Sequence, residues 1–400
     1  MSANEVNIAA LMPGLGEDLV LQERPIPSPG PGEVLIRNRS IAVNPIDWKQ
    51  QTLGVMVESY PKILGSARIP ETLTINSTNG LADPHPPQDI AGVVVEAGPA
   101  VDNFKPGDRV LAAAPSITTN NADKSAFQTF TVVPASYATK IPDSLTFNQA
   151  ATLPMAVNTA SIAFFANLNL PLPPTGPAAE QHRAPASPIP GDVLLVWSAG
   201  SSVGRAVVQI ARILGSEVYA TASPRHHEQI RKLGASLVLD YRSPTAVADI
   251  KAAASAQGKR ILVAVDNNSN AESINRVLEV LSDGDEAVRK SLLTMLPVEW
   301  IEDVVVPKDV DACLVSSGSR TEEVRAWTHT SGLPRWLERG EIVPQPHRVV
   351  PGGLGGLQTA LNELKSGVTI QCPLHTKVAE VIRPAHNQIV LHSTEAAKLL

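Results

Sequence analysis

Cysteine is scarce in this chain. Its two residues, Cys313 and Cys372, lie far apart and form no C-x-x-C pair. That argues against a disulfide framework and against zinc-ligand spacing, and it makes a reducing, cytoplasmic setting the expectation. Positive charge is not in excess: the net charge is −6, with no basic stripe and only 4% aromatic residues. Nucleic acid is therefore not expected as a partner. No apolar run approaches the roughly 18 residues of a membrane span. The N-terminus has no basic stretch followed by a long apolar core, so no secretory signal is read there. His226 and His227 are adjacent and the other seven histidines are scattered. No metal site is expected, because ligands on one helix face recur at i, i+4. A G-x-S-x-G nucleophile turn is missing too.

What is present is enough chain for two domains, with 43% hydrophobic and 18% charged residues among 400, as in globular proteins. Of the 34 prolines many cluster around 70–87 and 171–190, which read as loops. We expect 66–88 and 171–190 to be proline-rich surface segments.

The most informative stretch is 192–214, DVLLVWSAGSSVGRAVVQIARIL. Five apolar residues read as a buried strand, small residues as a tight turn, and Val203, Val207, Ile210 and Leu214 recur at helical spacing. A helix N-terminus after such a turn offers unpaired N–H groups and the positive end of a dipole to a pyrophosphate. Gly200 and Gly204 permit close approach. A strict G-x-G-x-x-G is absent, since Ser198 and Ser202 stand where glycines might. The turn alone is compatible with nucleotide binding or with an ordinary strand-helix junction.

From there the chain alternates. Strands are expected at 217–221, 237–240, 261–266, 292–297 and 310–315, and helices at 228–233 and 271–281. This suits a doubly wound parallel sheet. The first 150 residues read instead as short strands with frequent turns, a small barrel-like domain. Helical stretches follow at 150–167, broken by Pro154, and at 321–339 and 354–366. The expected organisation is a Rossmann-type domain over 161–317 and a mainly β domain formed by 1–160 with 318–400.

In a dinucleotide site the tip of the second strand reads the adenosine ribose. Here that tip is Thr221-Ala222-Ser223-Pro224-Arg225, without a carboxylate. Ser223 can donate a hydrogen bond and Arg225 can pair with a phosphate, which favours NADPH over NADH. Arg225 as a merely solvated charge is the alternative. In VNPIDWKQ (43–50), Asp47 reads as the N-cap of a short helix, while Lys49 stands out as polar chemistry beside Trp48.

VNPIDWK, DIAGVVVEAG, FKPGDRV, AATLP with NTA, WSAGSSVG, ATASPRHHEQIRKLGA and LDYRSP occur in one order. That order resembles the medium-chain dehydrogenase/reductase superfamily in its zinc-free quinone-oxidoreductase branch, with a GroES-like catalytic domain. The details LLVWSAGSSVG, TASPR, LDYRSP and LPRWLERGEIVPQP are similar to those of fungal trans-acting enoyl reductases of polyketide biosynthesis. The resemblance implies that Ser198, Gly200, Ser201, Ser202, Val203 and Gly204 hold the pyrophosphate of NADPH. It implies that Ser223 and Arg225 hold the 2′-phosphate and that Tyr241 flanks the adenosine. Thr159 would approach the nicotinamide or the substrate carbonyl, and Asn44 and Lys49 would line the cleft. The activity implied is reduction of an enoyl thioester carried by a polyketide synthase, by a monomer or homodimer. A reductase of free quinones or enones, and a catalytically silent partner protein, are the other readings. Two departures stand out: the segment 66–88 between YPKILG and DIAGVV, and a tail after Gly367 in which no final apolar strand is expected.

Overall fold

A computed structural model describes residues 5–54, 57, 59–64, 88–115, 121–174, 189–282, 287–315, 319–366 and 389–392. The expected loops 66–88 and 171–190 therefore lie largely outside the described residues. The chain divides into two units. One holds the described residues up to Met155 and again from Ala326, and the other holds Ala156–Arg325.

The first unit opens with β1 (Asn7–Met12), β2 (Val20–Arg24), β3 (Glu33–Val43), β4 (Lys62–Ile63), β5 (Gln88–Ala97), β6 (Arg109–Ala114), β7 (Phe130–Pro134) and β8 (Ala138–Lys140). All of their pairings are antiparallel. The core here is built from Ile36, Val43, Ile90, Val94, Val110, Phe127 and their neighbours.

The short helix Pro45–Leu53 leaves β3 directly. Its N-cap is Asn44, not Asp47 as the sequence suggested. Pro45 takes the first helical position, where a missing N–H costs nothing, and this moves the start of the helix forward. Asp47 sits in the first turn and accepts the Asn44 backbone N–H at 2.7 Å, the acidic arm of a capping box. Pro154 likewise does not break a helix. It opens one, Pro154–Ile162, which continues as a wider π turn over Ala163–Asn167.

The second unit carries β9 (Val193–Trp197), β10 (Glu217–Thr221), β11 (Leu237–Leu239), β12 (Ile261–Asp266), β13 (Lys290–Thr294) and β14 (Val310–Leu314). They form one parallel sheet in the order β11-β10-β9-β12-β13-β14. This is the doubly wound order, whose ligand crevice opens where the strand order reverses, between β9 and β12. Every residue of β9 is buried, as a central parallel strand requires. Helices Ser202–Ile213, His227–Leu233, Ala246–Ala256 and Ala271–Leu281 connect the strands. Ala246–Ala256 was not singled out in the sequence. Its run of alanines supplies helix propensity but little amphipathic contrast.

The chain then returns to the first unit through Thr321–Trp327, a π turn and Leu333–Glu338, then β15 (Arg348–Val350), the helix Leu357–Lys365 and β16 (Ile389–His392). The strand β16 corrects the expectation of a tail without one. It pairs antiparallel with Ser40–Val43 of β3 and parallel with β15. Four residues are too few for a periodic signal, so this strand is specified by the edges that receive it. Among the described residues no helix is long and apolar enough to cross a membrane.

A chain ending at residue 388 loses both β16 ladders. Its unfolding free energy in urea is expected to fall by roughly 2–5 kcal/mol, from several backbone bonds at about 1 kcal/mol each. An unchanged midpoint would show that β16 does not support the sheet.

Candidate functional site

The turn after β9 is pinned from behind by β10. Thr221 Oγ1 accepts the Ser198 N–H at 3.1 Å, and the Thr221 carbonyl accepts the Ala199 N–H at 2.8 Å. Ser198 adopts a left-handed conformation, φ 61°, where a side chain is strained and glycine is not. Gly204 has a different reason to be glycine. A Cβ there would stand 2.7 Å from the Ala199 Cα and 2.8 Å from the Ser198 carbonyl, so helix-to-turn packing by itself requires a glycine.

Ser201 is the N-cap of Ser202–Ile213, and its Oγ accepts the Gly204 N–H at 3.0 Å. That leaves its O–H as a donor. Among the described residues, the N–H groups of Gly200, Ser202 and Val203 make no hydrogen bond within the protein. Three backbone donors and a serine hydroxyl thus meet at one helix N-terminus, the chemistry a pyrophosphate requires.

The expected adenosine residues lie at the ends of β10 and β11. The Ser223 and Tyr241 hydroxyls stand 3.5 Å apart. Arg225 is half-buried, and its Nε faces His226 Nε2 at 3.3 Å. No carboxylate stands between Thr221 and His226. The turn, Ser223, Arg225 and Tyr241 all belong to the second unit, as does Thr159. Thr159 lies in the interior of Pro154–Ile162 and is the one residue of that helix that is only partly buried.

Asn44 and Lys49 belong to the first unit. Asn44 is 1% exposed and donates through Nδ2 to Asp89 Oδ2 at 3.1 Å. Asp89 also accepts the Met155 N–H at 2.6 Å. Asp47 is fully buried and accepts Gln88 Nε2 at 2.5 Å, and burial pushes its carboxyl up to about 7. The Lys49 ammonium lies 5.8 Å from the Trp48 ring centroid, and burial lowers its pKa. The ammonium is thus within cation–π range of the ring, and its lowered pKa makes it a readier proton donor than a solvated lysine.

Two groups were not singled out in the sequence. The first is the loop after β12 at the switch point. Asp266 is buried and accepts from Asn268 N, Ser269 N and Ser273 Oγ, and burial dominates to raise its carboxyl to about 6. Asn267 Nδ2 donates to the Trp197 carbonyl at 2.9 Å, joining the ends of β12 and β9. The polar run DNNSN straight after an apolar strand was the available signal. The second is Arg205 with His226, behind the turn. A single arginine in an amphipathic helix gives no such signal. Among the described residues, no group of three or more His, Cys, Asp or Glu could hold a metal ion.

Two measurements follow from this geometry. Ser198→Gly relieves the left-handed serine and is expected to raise unfolding free energy by about 0.5–1 kcal/mol; a loss would mean that the hydroxyl outweighs the strain. For Asp47 the folded pKa is raised from 3.8 to about 7. Its stabilising contribution is therefore complete below about pH 4 and is lost as pH rises through about 7, by up to ~1.4 kcal/mol per pH unit. Urea unfolding across that window is expected to show a slope that Asp47→Asn removes; an identical slope in the variant contradicts the assignment.

The family model described as "Alcohol dehydrogenase GroES-like domain" matches residues 30–143, and the one described as "Zinc-binding dehydrogenase" matches 202–298. The dehydrogenase azaJ of Aspergillus niger is 32% identical over 376 residues, covering 91% of this chain and 96% of its own length. The trans-enoyl reductase tndF of Aspergillus flavipes is 32% identical over 375 residues, covering 90% and 96%. Among solved structures, the CurK enoyl reductase aligns with a TM-score of 0.65 at 20% identity, over 97% of this chain and 98% of that one. The mycobacterial protein Rv1454c, solved with NADPH, aligns with a TM-score of 0.64 at 21% identity, over 96% and 100%. At these identities the structures speak for the fold. With a 32% identical relative matched over nine-tenths of both chains, this chain belongs to the medium-chain dehydrogenase/reductase family of nicotinamide-dependent oxidoreductases.

Proposed function

We propose that the chain is an NADPH-dependent enoyl reductase acting in trans on the α,β-double bond of a thioester carried by a polyketide synthase. The observation that carries the cofactor choice is the end of β10, where Ser223 and Arg225 stand and no carboxylate does. An acidic residue there would bond a ribose 2′-hydroxyl and repel a 2′-phosphate. The N–H groups of Gly200, Ser202 and Val203 and the hydroxyl of Ser201 fit the pyrophosphate. Relatives named as trans-enoyl reductases in Aspergillus flavipes, Aspergillus japonicus and Aspergillus terreus support the substrate class.

Bound reduced nicotinamide supplies a hydride for the β-carbon. The chain must then stabilise charge that develops on the thioester oxygen until a proton, from a side chain or from water, reaches the α-carbon and completes the reduction. Lys49 is the proposed donor to that oxygen. Its lowered pKa suits a group that must give a hydrogen bond, or a proton, to an incipient enolate. The partly buried Thr159 is proposed to position the nicotinamide or the carbonyl through its hydroxyl. Asn44 is tied to Asp89 and caps the helix that carries Lys49, so its part is to fix where that lysine begins.

Oxidation of NADPH is expected with an enoyl chain loaded on a synthase carrier protein, and much less with free quinones or enones. Lys49→Ala is expected to lower kcat/KM by about 10²-fold, the usual loss for one oxyanion donor. Full turnover in the variant removes Lys49 from this role. Equal rates with free enones favour a general enone reductase.

A further inference from the structure

Arg205 lies in the first turn of Ser202–Ile213 and is only 4% exposed. Its Nε donates to the Gly200 carbonyl at 3.3 Å, and its Nη2 donates to Gln229 Oε1 at 2.8 Å and stands 3.3 Å from His226 Nδ1. None of the ion pairs among the described residues includes it. A buried guanidinium without a carboxylate is costly, and a helix N-terminus beside it adds positive potential rather than relieving it. Burial lowers the pKa of Arg205 to about 10, still cationic at neutral pH.

His226 connects this cation to the proposed 2′-phosphate residue. Its ring packs on Gly200, where a Cβ would come within 3.2 Å of Cδ2. Nδ1 faces Arg205 and Nε2 faces Arg225 Nε at 3.3 Å. Burial and the two guanidiniums hold its pKa near 4, so the ring is neutral at physiological pH. A neutral imidazole has one acceptor nitrogen and cannot accept from both arginines at once. One of the two contacts then sets an N–H against a donor. An anion that draws the Arg225 guanidinium toward itself resolves the conflict and leaves the ring to accept from Arg205. The same anion lies in the field of the buried cation.

We infer that Arg205 and His226 are positioning residues for a 2′-phosphorylated dinucleotide, which hold the Gly200 peptide and the Arg225 guanidinium in register. This rests on the reading of the second unit as an NADPH site. It adds a layer behind the residues that touch the ligand and explains why a cation is buried beneath this turn.

The test is titration of the full-length chain with NADPH and with NADH, for the wild type, Arg205→Met and His226→Phe. The phenylalanine keeps the ring on Gly200 and removes both nitrogens. The expected result is an NADPH preference in the wild type, and a loss of about tenfold in NADPH affinity in each variant with at most about threefold for NADH. The double variant is expected to lose less than the product of the singles, because the pair acts together. Should Arg205→Met fail to fold, His226→Phe carries the comparison. Equal losses for the two dinucleotides indicate a purely structural role and overturn the inference, as does a preference that survives substitution. A wild-type chain without any preference overturns the cofactor reading and this inference with it.

Discussion

The arrangement of the second unit depends on one junction. A fully buried parallel strand, β9, must reverse into the amphipathic helix Ser202–Ile213 within a few residues. The chain does this by holding Ser198 in a left-handed conformation, pinning it to Thr221 of β10, and removing the side chain at position 204. With the turn fixed from behind, the N–H groups of Gly200, Ser202 and Val203 are left without a hydrogen bond within the protein among the described residues. The same constraint brings the end of β10 beside the turn, so Ser223 and Arg225 lie near it without any special motif of their own.

Much of this was legible in the sequence. The apolar run 193–197, the small-residue turn and the 3.6-residue spacing gave strand, turn and helix almost to the residue, because burial on both faces leaves an unmistakable pattern. The alternation of strands and helices gave the sheet. Less legible were features set by tertiary partners. The four residues of β16 become a strand only when β3 and β15 receive them. The helix Pro45–Leu53 starts at Asn44 because proline favours the first helical position, a preference that outranked the capping tendency of Asp47. That packing against Ala199 and Ser198 also requires a glycine at 204 is visible only in the fold. Arg205 gave no signal, since only the fold shows that it is buried.

The first unit contributes a different chemistry. Asn44, Asp47, Gln88 and Asp89 form a buried polar network around the start of one helix, and Lys49 is carried one turn farther on. Such a network is costly unless its members are satisfied; each of the four is hydrogen-bonded, and Gln88 Oε1 is the buried atom among them left without a partner. Its effect is to fix the origin of the helix that presents the lysine. Function in this family lies in such grafted details, since the fold hosts several reductions.

The proposed reaction moves a hydride from NADPH to the β-carbon of a carrier-bound enoyl thioester. The direct measurement is single-turnover reaction with NADPH deuterated at the transferable C4 position, followed by mass spectrometry and NMR of the released acyl chain. The account predicts one deuterium, at the β-carbon, and loss of the alkene. Deuterium at the carbonyl carbon, or an alkene that persists while the cofactor stays reduced, would contradict it.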